Sequence, residues 1–151
     1  MITDLELRRF LIPWSGLGFV TSCDRVNSIN VNLDSRFNII CNLSPFPFPG
    51  HWVLLTFENK MCKIFDSLAI PFTMYPDTLR AFIYKNSSKV SASKTPIQSS
   101  LSVLCGYFCI SRLLSMNEGV CEKDFHNKFN TNLEENDVLV MKLIIRQCKR
   151  I

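Results

Sequence analysis

The sequence predicts an α+β domain, a small mixed or antiparallel sheet flanked by helices, and three observations carry that expectation. Two apolar runs, residues 51–57 and 61–66, flank the polar trio Glu58-Asn59-Lys60 and read as a β-hairpin. Residues 36–43, rich in aromatic and β-branched side chains, read as a further strand, ended by Pro45, Pro47, Pro49 and Gly50. Residues 101–116 are apolar enough for a buried helix, and Val138 to Ile145 fall on an amphipathic one that starts behind Asn132 and Glu135.

The remaining elements follow in chain order. Thr3 with Glu6 three residues on is a capping box, so a short helix starts there and Pro13 stops it. Gly16 and Gly18 open an extended segment over residues 19–23. Residues 76–84 read as a short helix, whereas 86–96 are rich in Ser and Lys and read as an exposed loop. There are no internal repeats and no low-complexity tract, and the strand cluster with flanking helices fits the α+β class.

At 151 residues and 47% hydrophobic content, the chain supports one core and one domain, residues 1–151. The 7 cysteines are scattered through apolar runs, so they do not read as a disulfide framework and fit a reducing compartment. Residues 1–6 lack the basic and apolar regions of a signal peptide, and no apolar run approaches the roughly 18 residues of a membrane span. The expectation is a soluble, unsecreted protein that engages no membrane and acts as a monomer. The net charge of +4, densest around Lys85 to Lys94 and Arg146 to Arg150, permits weak DNA binding through a basic face. No aromatic residues alternate with those cations, so no single-strand stacking platform is visible.

Only a thiolate attacks a carbonyl well, and an ordinary cysteine of pKa about 8.5 is mostly protonated at neutral pH. Cys105 lies near the start of the predicted buried helix, where free N–H groups favour an anion, and Gly106 leaves its neighbourhood open to a substrate backbone. The chain has two histidines, His51 and His126. His51 is the better base because it begins one hairpin strand while Asp66 ends the other, within one position across the predicted trio loop. A tetrahedral intermediate needs oxyanion donors, and Gln98, seven residues before Cys105, is the natural side-chain amide.

Taken singly, these residues have plainer readings. Cys41, Cys62, Cys109 and Cys148 read as small core residues, Asp66 could cap a turn with Ser67, Gln98 could be a solvated loop residue, and Trp52 reads as core beside the imidazole. His126 reads as a surface-helix residue. Cys105, Cys109 and His126 lack a Cys-x-x-Cys pair and a fourth ligand, so no metal is expected.

The strings Gly50-His51-Trp52, Phe65-Asp66-Ser67, Gln98-Ser99-Ser100 and Cys105-Gly106-Tyr107-Phe108-Cys109, in that order and spacing, resemble the adenovirus protease family and adenain-like maturation proteases of large DNA viruses and virus-derived mobile elements. The likeness extends to Gly18-Phe19-Val20-Thr21 with Asp24-Arg25. It implies a papain-like fold and a cysteine endopeptidase that cleaves viral or element-encoded precursor proteins at small-residue sites. It implies His51, Asp66 and Cys105 as triad, Gln98 in the oxyanion hole, with Trp52 and Gly106 in support, and location in the virion and in the host nucleus or cytoplasm. No cysteine stands in residues 86–96, where the adenovirus enzymes hold one disulfide-bonded to an activating peptide. The resemblance therefore carries over no cofactor, and activation by a peptide or DNA stays open. Two alternatives share the residue order: a protease that deconjugates SUMO-like modifiers, and a non-catalytic nucleic-acid or protein interaction module.

Overall fold

In the computed structural model, which describes residues 1–14 and 16–150, five strands form one mixed sheet in the order β1-β2-β3-β4-β5. The strands are β1 (Phe19–Ser22), β2 (Phe37–Asn42), β3 (Trp52–Glu58), β4 (Met61–Phe65) and β5 (Lys89–Ala92). The two outer pairings are parallel, and β3 runs antiparallel to both β2 and β4. The helices are α1 (Asp4–Phe10), α2 (Asp77–Asn86), α3 (Cys105–Asn117), α4 (Glu122–His126) and α5 (Leu133–Cys148). This is the α+β architecture that the sequence predicts.

Strand periodicity sorts the core into two layers. Trp52 and Leu54 of β3 join Ile40 and Phe65 against α1, α3, α4 and α5, while Val53, Leu55 and Phe57 join Ile39, Cys41, Cys62 and Ile64 against α2. The central strand β3 is buried on both faces, hence its unbroken apolar run. Fully buried Phe108 fills the helical layer, with Phe129 5.5 Å away ring to ring. Between α3 and α5 the buried Gln147 amide donates to the Ser111 carbonyl and the Ser115 hydroxyl, satisfying polar groups that would otherwise cost 1–3 kcal/mol or so each.

Four local expectations need correction. The hairpin turns on two residues, Asn59 and Lys60, both at positive φ (53° and 61°), so Glu58 pairs with Met61 and belongs to the strand. That is the type I′ geometry whose twist suits a hairpin, and it shifts the register by one from a trio loop. Within the expected loop 86–96, Lys89–Ala92 forms the edge strand β5, too short and too polar to show a strand pattern. The buried helix begins at Cys105 rather than residue 101, and Leu101 is 87% exposed. Asn132 precedes α5 but makes no side-chain cap; its amide donates instead to Glu135 Oε1. The Thr3–Glu6 capping box forms as expected, and Pro13 lies in a separate 3-10 turn, Ile12–Trp14.

The N-terminus is tied into the core at one point. Ile2 is buried, its carbonyl accepts the Trp52 indole N–H at 3.2 Å, and its side chain lies on Gly106. A Cβ at Gly106 would collide with Ile2 Cγ2 and stand 3.4 Å from Trp52 Cδ1. The expected outcome for Gly106→Ala is therefore release of residues 1–3 with α3 intact, since Ala is the better helix former. Hydrogen exchange should show lost protection at the N-terminus and at the Trp52 indole, and unchanged protection there would refute it.

Candidate active site

Three elements meet at the ends of β3 and β4. His51 immediately precedes β3 and is held by Leu43 N–H, which donates to its carbonyl. Gly50 before it passes so close to Asn42 and Ser44 that a Cβ would overlap their side chains. Asp66 follows the last residue of β4. The two-residue turn would set Asp66 opposite Val53, two positions from His51, and the side chains close that diagonal: His51 Nε2 lies 2.6 Å from Asp66 Oδ1.

Asp66 is 1% exposed, so its carboxylate must be satisfied from within. Oδ1 also accepts Leu68 N–H at 2.9 Å, and Oδ2 accepts Ile70 N–H at 3.1 Å and the Tyr75 hydroxyl at 2.8 Å. The turn that supplies those amides holds Ala69 at φ 53°, a left-handed conformation costing about 1–2 kcal/mol in a residue with a Cβ. Asp66 thus caps a turn and holds the imidazole at once. Tyr75, buried just before Pro76, belongs to no motif, so sequence reading passes over it.

With Nε2 on Asp66, Nδ1 is the ring nitrogen left free, and Cys105 is close enough to the imidazole to help raise its pKa. Cys105 opens α3 and is 3% exposed. The Trp52 N–H points at its sulfur from 3.5 Å, and one turn along α3 the Cys109 thiol donates to the Trp52 carbonyl at 3.4 Å. The two cysteines therefore bracket Trp52, the first residue of β3, at its N–H and its carbonyl, and tie the strand that follows His51 to the start of α3. Burial pushes the Cys109 thiol far above its ordinary value, consistent with a core role.

Burial pulls the His51 imidazolium down, but hydrogen bonds and charges from Asp66 and Cys105 outweigh it and raise its pKa to about 9. Burial likewise raises Asp66, but the hydrogen bond to His51 and its charge hold the carboxyl below its ordinary range. The sign of the pH effect follows. A raised histidine stabilises fully below its ordinary 6.5 and loses that contribution as pH climbs through about 9. The depressed aspartate contributes above its ordinary 3.8 and loses that as pH falls below it. Unfolding free energy should therefore drop between about pH 6.5 and 10 by on the order of 3 kcal/mol. In His51→Gln the part of that drop below about pH 9 should vanish, while the buried Cys41, Cys62 and Cys109 thiols, raised by burial, keep a fall above it; urea titrations across this range measure both.

Gln98 is 2% exposed and lies beside the same turn. Its Oε1 is 2.5 Å from the Ser67 hydroxyl and its Nε2 donates to the Ser102 carbonyl at 3.0 Å. From α5, Asn136 donates to the Ile97 carbonyl at 2.8 Å and Asp137 accepts the Ser102 hydroxyl at 2.7 Å, so this helix anchors the loop that carries Gln98. Gln98 is thus a packed residue and not a solvated one.

His126 ends α4 half-buried, its ring 5.9 Å from Phe65 and its Nδ1 on the Glu122 carbonyl, with no hydrogen bond to Cys105 or Cys109. Among the described residues no group of three His, Cys, Asp or Glu side chains could hold a metal, and no helix is long and apolar enough to cross a membrane. Beside Trp52 opens an apolar cleft of about 640 Å³, walled by residues 1–5 and 46–49.

No family model matches the sequence. No curated protein matches it either. Among solved structures, the chain is similar to the crystal structure of the ASFV pS273R protease, with TM-score 0.56 and 13% identity over 91% of this chain. It spans 64% of the length of that protease. What the two share is the fold, a mixed sheet flanked by helices.

Proposed function

We propose that this chain is a cysteine endopeptidase of the adenain-like type, acting on viral or mobile-element precursor polypeptides during particle maturation. One observation carries the reading: the buried Asp66 carboxylate lies 2.6 Å from His51 Nε2, and Cys105, at a helix N-terminus, acts with it to raise the same imidazole. The fold shared with a protease and the Gln98 amide bound to Ser67, next to Asp66, support it.

In this mechanism Cys105 gives its proton to His51 and the thiolate attacks the scissile carbonyl. Asp66 holds the resulting imidazolium, and the helix N-terminus and the Gln98 amide face the developing oxyanion. His51 then protonates the leaving amine. Water, deprotonated by His51, adds to the thioester and releases the acid and the free thiol. The apolar cleft beside Trp52 is where the substrate chain would lie. Basic residues at 85–94 and 146–150 leave room for a polyanionic activator.

The test exploits competition among seven free thiols, of which Cys121 is exposed and Cys105 buried. A glycyl-glycine vinyl sulfone, mapped by mass spectrometry, should modify Cys105 first despite its burial, and His51→Ala should abolish that preference. Labelling led by Cys121, as simple accessibility dictates, would overturn the reading. Preference for a SUMO-derived vinyl sulfone over the dipeptide would shift the substrate to modifier conjugates.

A further inference from the structure

We infer that Ser67 is a positioning residue for the oxyanion amide, so that the dipeptide Asp66-Ser67 sets both the base and the oxyanion donor; this rests on the reading above. An amide side chain can be built either way round, and the hydrogen-bond network decides which is right. The Ser102 carbonyl is acceptor-only, so the Gln98 group 3.0 Å from it is the NH₂. The other end is then a carbonyl, and the Ser67 hydroxyl 2.5 Å away must donate to it.

Of the two Nε2 hydrogens, Ser102 takes one and the second stays free for a substrate oxygen. Ser67 is fully buried and grips the same residue through its backbone as well: its carbonyl accepts Ile97 N–H at 2.9 Å and Gln98 N–H at 3.0 Å. Without the hydroxyl, the Ser102 carbonyl alone orients the carboxamide, which is then held at one end instead of two and positions its donor less firmly. Because Asp66 is the preceding residue, any shift of this turn moves the imidazole and the oxyanion amide together.

Two reactions of Cys105 separate the roles. Acylation by p-nitrophenyl acetate passes through a tetrahedral oxyanion: sulfur bonds to the acetyl carbon and p-nitrophenolate leaves. Alkylation by iodoacetamide displaces iodide with no oxyanion and reads only thiolate supply. With a Cys105→Ala background subtracted, Ser67→Ala should slow acylation about 10-fold while alkylation changes less than 2-fold. Gln98→Ala should slow acylation at least as much, and Ser67→Ala added to it should cost nothing further.

Equal slowing of both reactions, or full additivity with Gln98→Ala, would mark Ser67 as a fold-stabilising residue and overturn the inference. If Gln98→Ala slows acylation and Ser67→Ala does not, the Ser67 role falls and the protease reading stands. Should Gln98→Ala also leave acylation untouched, the oxyanion assignment itself fails.

Discussion

Replacing Cys105 with alanine is expected to abolish hydrolysis of precursor polypeptides, a loss of about 10⁶-fold in turnover. No neighbouring group can take over. The nearest thiol, Cys109, is fully buried, donates to the Trp52 carbonyl and is pushed to a pKa at which thiolate is absent at neutral pH. His51 could still activate water, but without a covalent intermediate it must do so in a site built around sulfur. The fold should survive: alanine keeps the helix start, and the lost sulfur contact is one long bond from Trp52 N–H. Cleavage of a capsid-precursor substrate, followed beside circular dichroism of the same sample, measures both. A folded Cys105→Ala protein that retains turnover defeats the assignment.

Much of this geometry was legible because it depends on local patterns. The hairpin shows in two apolar runs about a polar gap, and its ends bring His51 and Asp66 to one edge whichever turn type closes it. Register was not legible: whether Glu58 belongs to strand or loop depends on Asn59 and Lys60 accepting positive φ, which composition does not declare for lysine. The start of α3 was blurred for a similar reason. Leu101 and Val103 extend the apolar run but are exposed, while the helix waits for Cys105, the residue that meets Trp52.

Tertiary pairing hid the rest. β5 has alternating exposed and half-buried residues and exists because β4 offers it a parallel edge, and Ser87 and Ser88 tie the approach to it through the Ile83 and Lys60 carbonyls. Tyr75 lies nine positions beyond Asp66 with no motif between them, yet the chain folds back to put its hydroxyl on the carboxylate. Polar atoms in a site must be satisfied from somewhere, and a buried tyrosine is a common source, but only the turn shows which one.

Asp66→Asn is the second large effect, a loss of about 10³- to 10⁴-fold in turnover with little change in side-chain shape. The carboxylate accepts four hydrogen bonds, from His51, Leu68, Ile70 and Tyr75, and an asparagine has one acceptor oxygen and one donor NH₂. If the NH₂ takes the place of Oδ2, it meets the Ile70 N–H head on. If it takes the place of Oδ1, it meets the Leu68 N–H and can satisfy His51 only as an acceptor at Nε2, which moves the ring proton to Nδ1, facing Cys105. That tautomer cannot receive the thiol proton. Either way the imidazolium loses its anionic partner, so the support that lifts His51 to about 9 is reduced, and the upper pH limb of peptide hydrolysis, in which the imidazolium protonates the leaving amine, should move down. The direction is set by linkage: removing a charge that favours the protonated form lowers the pKa. A pH–rate profile of peptide hydrolysis, wild type against Asp66→Asn, reads that shift directly, and an unmoved limb would show that Asp66 holds the turn without governing the histidine.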